Sequence, residues 1–165
     1  MNQLLTNLIE ALREELKQYG EMLALLDHQQ QRVMHRQTDD LLPSVAGVEA
    51  QADAVHAARR EREQHQRHAA RRLELSETAG FGELVPLLPA DYQPLIRALV
   101  QENNELLIRV QQRARQNHLL LSRAVELMQR FMSSLCPGSS PKTCDDAGRT
   151  SAPSLPRHPQ CDTAG

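Results

Sequence analysis

The chain has 165 residues, enough for one domain, with a formal net charge of −2 and a pI near 6.4. Apolar residues make up 40%, yet aromatics only 2% with no Trp, which excludes a large aromatic-rich core and points to a thin, elongated structure. The near-neutral balance argues for neither nucleic acid nor anionic membrane as a partner, and no apolar run approaches the roughly 20 residues of a membrane span.

The spacing predicts a first helix from Asn2 to about Arg36. Leu5, Leu8, Leu12, Tyr19, Met22, Leu26 and Val33 recur at alternating three- and four-residue steps, and Leu16 and Leu23 widen that stripe. The start, "MNQLLTNLIEALREEL", lacks the basic-then-apolar order of a signal peptide, so the expected location is the cytoplasm.

"RQTDDLLP" breaks the pattern. Thr38 is the expected N-cap of a second helix, with Asp39 and Asp40 in its first turn. That helix should reach about Ser76. Its early part is apolar at Leu41, Leu42, Val45, Val48, Ala52 and Val55. Its later part, "AARREREQHQRHAARR", is polar almost all round and is expected to project or fray. The stretch 76–94 follows, broken by Gly80, Gly82, Pro86 and Pro89, with one short turn of helix around Glu83–Leu88.

Asp91 is the expected N-cap of a third helix from Tyr92 to about Leu135, on the order of 65 Å long. With Ile96 at heptad position a, the a, d and e positions form a wide apolar stripe suited to two neighbouring helices. Two asparagines, Asn103 and Asn117, lie in it, and Asn104 lies beside it. Two readings stay open: the amides set the register of a permanent interface, or they face water until a partner docks. Leu119, Val125 and Met132 point away from the stripe, so the second half of this helix is apolar over much of its circumference. Surplus apolar surface of this kind marks a binding face for another amphipathic helix, with a homodimer through the third helix as the alternative.

The last thirty residues are rich in Pro, Ser, Gly and Asp and are expected to be disordered. All three cysteines, Cys136, Cys144 and Cys161, fall there, and an odd number does not suggest a disulfide framework. The expected organisation is a helical domain over 1–135 and a tail over 136–165, all-α, an antiparallel bundle or coiled coil of three long helices. Neither Glu61, His65 and His68, nor His158 with Cys161, completes a zinc ligand set. The arginines of 59–72 are interleaved with Glu61 and Glu63 and have no aromatic for base stacking. No phosphate loop or nucleophile elbow appears, so no enzyme, metal or cofactor is expected.

The stretch "LVQENNELLIRVQQRARQNHLLLSRAVELMQRFMSSL" resembles the last helix of the FlgN family of flagellar export chaperones. Asn104-Glu-Leu106-Leu107 and Asn117-His-Leu119-Leu120 stand where that family places an Asn before a Leu pair. "LIEALREELKQYGEMLALLDHQQQRVMHRQTDDL" is similar to its first helix, and the likeness spans about residues 4–135. Two stretches differ: "VEAQADAV" lacks the family's lysine-containing turn, and the Cys- and Pro-containing tail is unlike its short terminus. The resemblance implies a cytoplasmic, non-enzymatic protein. It would bind the C-terminal helices of hook-associated proteins and deliver them unpolymerised to the flagellar type III export apparatus. The implied partner-binding residues are Asn104, Leu106, Leu107, Val110, Asn117, Leu119, Leu120, Leu121, Val125, Met128 and Met132.

Overall fold

The computed structural model describes residues 2–35 and 41–135, so the expected Thr38 cap and the expected disordered tail lie outside the described residues. Every element among them is helical: α1 (Asn2–Met34), α2 (Leu41–Arg72), the short α3 (Phe81–Leu84) continued by a 3₁₀ turn (Val85–Leu87), and α4 (Gln93–Leu135). The chain falls into two units, Met1–Glu126 and Leu127–Gly165, with the boundary inside α4.

In the first unit, the stripe read from the sequence is the buried face of α1. Leu5, Leu8, Leu12, Tyr19, Met22 and Leu26 are buried, and Leu16, Leu23 and Val33 are half-buried. The most enclosed part of the core joins Leu5, Leu8 and Leu12 to Ala69 and Ala70 of α2, to Leu84, Val85 and Leu88, and to Ile96 and Leu99 of α4. The α3 segment is therefore a wedge that closes one end of the unit. Side-chain amides hold it there: Gln66 donates to the Ala79 carbonyl and Gln93 to the Leu88 carbonyl, each at 2.8 Å.

The polar half of α2 departs from the expectation that it projects or frays. All the buried residues of α2 lie there, at Ala58, Ala69 and Ala70, while its apolar beginning has none and Leu42 is 80% exposed. The reason is a pairing across helices that local periodicity does not encode. Arg62 Nε lies 2.9 Å from Glu15 Oε2 on α1, and Glu15 is almost wholly buried. Tyr19 also donates its hydroxyl to Glu15 at 3.1 Å. Burial first, and the Glu15 carboxylate second, push the Tyr19 phenol up from about 10 to about 12. A group whose folded value is raised favours the fold in its protonated form. Stability from Tyr19 is therefore complete below pH 10 and lost as pH climbs through 12, which chemical denaturation at steps between those limits will register.

The end of α2 is a Schellman motif. Leu75 N–H bonds back to the Ala70 carbonyl at 2.9 Å and Glu74 N–H to the Arg71 carbonyl at 3.2 Å. The geometry requires a left-handed residue, and Glu74 supplies it with φ 58°. Glycine adopts that conformation without the Cβ clash. Glu74→Gly should therefore raise the unfolding free energy by roughly 0.5–1 kcal/mol in a denaturant melt.

Cross-helix hydrogen bonds set the directions. Gln51 of α2 reaches Gln18 of α1, whereas Arg62, further along α2, reaches back to Glu15, so these helices run antiparallel. Asn103 Nδ2 donates to the Leu12 carbonyl at 3.0 Å and Asn117 Nδ2 to the Leu26 carbonyl at 2.7 Å. Both pairs are 91 residues apart, so α4 runs parallel to α1 in one register over two heptads. A slip by one residue would strand both amides among apolar neighbours. The α4 start also differs from expectation: Tyr92, not Asp91, holds the N-cap position, its carbonyl accepting the Ile96 N–H at 3.1 Å.

In the second unit, the described residues 127–135 are the last turns of α4 and all are exposed.

Candidate partner-binding face

The expected binding residues occupy three environments. Asn117 is buried, and its amide also donates to Gln29 Oε1 at 3.1 Å, so it pins α4 to α1. Its side chain is 3% exposed and bonded to its own α1, the arrangement that the register reading describes. Asn103 is 6% exposed and donates to the Leu12 carbonyl of α1 and to the Leu99 carbonyl of its own helix. Asn104, one residue on, is exposed.

Leu106, Leu107, Val110, Leu120 and Leu121 are half-buried. They continue the inward stripe of Ile96 and Leu99, both buried, but less completely. The difference lies in what faces them. Near the wedge, α4 meets Ala69, Ala70 and the α3 segment. Further along, no residue of α2 before Ala58 is buried, so that part of the unit is only partly closed.

Leu119 and Val125 are 58% and 55% exposed. Leu119 follows Asn117 by two residues, about 200° around the helix, and therefore faces away from α1. In the second unit, Met128 and Met132 are exposed. So are Leu127, Phe131 and Leu135, which the heptad reading had placed on the apolar stripe. Two further exposed apolar residues are not among the expected binding residues: Met34, 70% exposed at the end of α1, and Leu42 in the apolar beginning of α2. Their signal was available as apolar residues bordering a helix break.

A cleft of about 420 Å³ opens between α1, α2 and α4 beside the wedge, lined in part by Tyr19, Arg62, Phe81, Asn104 and Leu107. The Arg62 guanidinium lies 5.9 Å from the centre of the Phe81 ring. Glu15 and Arg62, paired with each other, also line the cleft. Among the described residues no cluster of three or more His, Cys, Asp or Glu could hold a metal, and no helix is long and apolar enough to cross a membrane.

The face is built of aliphatic side chains that are half-buried or exposed. Comparison with curated proteins and with solved structures finds no match. The family model described as FlgN protein matches residues 1–152. With nearly the whole chain covered by that match, and a helical fold that carries its apolar surplus on the last long helix, the chain belongs to the FlgN family of flagellar export chaperones, which bind flagellar proteins.

Proposed function

We propose that this chaperone works in the cytoplasm, where it covers the C-terminal helices of hook-associated proteins. It keeps them unpolymerised and delivers them to the flagellar type III export apparatus. Residues 1–135 act as the chaperone domain, in which the three long helices form an antiparallel up-down-up bundle; the opposed directions of α1 and α2 and the shared register of α1 and α4 support that arrangement. The observation that carries the reading is the exposure of Leu119 and Val125, both above half; Leu119 lies about 200° around the helix from Asn117, which bonds to α1, and Val125 about 80° from it. Exposed apolar side chains concentrated on one element mark an interaction site, and an amphipathic helix is the commonest way to cover one.

Leu119 and Val125 make first contact, with Asn104 as a polar guide. Leu106, Leu107, Val110, Leu120 and Leu121 lose their remaining exposure behind them. In the second unit, taken by itself, Met128 and Met132 offer adaptable surface, because the thioether chain repacks easily. Light scattering on the full chain, with and without a peptide from a hook-associated protein's C-terminus, tests this. The expected result is a one-to-one complex. A tight dimer indifferent to the peptide would instead favour a coiled-coil adaptor that self-associates through α4.

A further inference from the structure

Between Leu106 and Val125, α4 carries four arginines and no aspartate or glutamate. Arg113 is engaged inside the molecule: its Nε lies 2.7 Å from Asp27 Oδ1, and it donates to Gln30. Arg109, Arg115 and Arg123 are exposed and make no ion pair or hydrogen bond among the described residues. Two of them bracket the exposed leucine. Arg115, Leu119 and Arg123 are spaced four residues apart, so they form one ridge along the helix. The ridge faces away from α1, because Asn117 pins the opposite side. Unpaired guanidinium groups on either side of an uncovered apolar residue describe the complement they lack.

We propose that the Arg115–Leu119–Arg123 ridge selects a partner helix whose apolar stripe is flanked by aspartate or glutamate. This rests on the chaperone reading above and specifies the partner's charge. Such a helix would set Leu119 into its stripe while its carboxylates meet the arginines, whose aliphatic stems extend the apolar contact. Two other occupants fit worse. A second copy docked ridge to ridge sets arginine against arginine, a repulsion that disfavours the isologous contact. The chain's own residues 136–165 balance Asp145, Asp146 and Asp162 against Lys142, Arg149 and Arg157, and hold Leu155 as their single large aliphatic residue. They bring neither the stripe nor the negative charge.

The test uses the full chain and three synthetic helical peptides with identical leucine faces, flanked by glutamate, glutamine or lysine, with affinities read by fluorescence anisotropy. The glutamate peptide should bind at least about tenfold more tightly than the lysine peptide, and high salt should shrink the gap. Arg115→Gln with Arg123→Gln should bring the glutamate peptide to the level of the glutamine peptide, whose own affinity stays unchanged. Equal binding of all three peptides overturns the charge selection and leaves apolar docking standing. Binding of none overturns the chaperone reading and this inference with it. Loss of the glutamine peptide in the double variant would make the arginines structural. A single-stranded oligonucleotide that binds as tightly as the glutamate peptide would reassign the ridge to nucleic acid.

Discussion

Arg62→Ala lowers the unfolding free energy by about 3–5 kcal/mol, because it leaves the Glu15 carboxylate buried without its cation. The side chains of Arg62 and Glu15 are 15% and 4% exposed, so solvent cannot take the place of the lost partner. Gln66, which accepts from Arg62 at 2.8 Å, loses a contact as well, and with it part of what holds the wedge. The double change Glu15→Leu with Arg62→Met should cost far less than Arg62→Ala alone, since a buried pair replaced by apolar groups of similar volume is often neutral. Urea melts of the three proteins measure this. A loss below about 1 kcal/mol for Arg62→Ala would place the pair among solvated surface bridges instead.

Leu119→Asp with Val125→Asp has the opposite signature: at least about a hundredfold loss of affinity for the partner peptide, with the fold retained. Neither residue is in the core, and exposed substitutions usually shift stability by about 0.5 kcal/mol or less each. Asp is a poorer helix former than Leu by several tenths of a kcal/mol, so a small drop in the melting temperature is expected. Ile96→Asp provides the contrast, since a carboxylate at a site with 0% exposure should unfold the closed end. Circular dichroism and anisotropy on the same samples separate the two behaviours. Collapse of the fold in the Leu119 and Val125 variant would mean that those side chains belong to the core.

How much of this was legible in the sequence depended on whether the signal was local. The α1 face was, because Leu5, Leu8, Leu12, Tyr19, Met22 and Leu26 repeat with the helix period and are buried together. The extent of α4 was, within two residues at its start. Glu15 was not: it reads as one more charge in "LREEL", and only the arrival of Arg62 from 47 residues away makes it a buried acceptor. For the same reason the charged end of α2 reads as a stretch that projects or frays, although alanines at 58, 69 and 70 allow the close approach that buries it. The asparagines posed a question that periodicity alone could not answer. Their heptad positions placed Asn103 and Asn117 on a seam; the carbonyls of Leu12 and Leu26 show the seam to be the one with α1. The outward direction of Leu119 and Val125 was readable from the same heptads, and their exposure agrees with it.

Hydrogen exchange along α4 of the full chain, free and with the partner peptide, tests most directly whether this helix waits for a foreign segment. In the free chain the amides of 119–126 should exchange much faster than those of 5–12, and the peptide should slow them at least about tenfold. Free-chain protection at 119–126 equal to that at 5–12, unchanged by the peptide, would contradict the account.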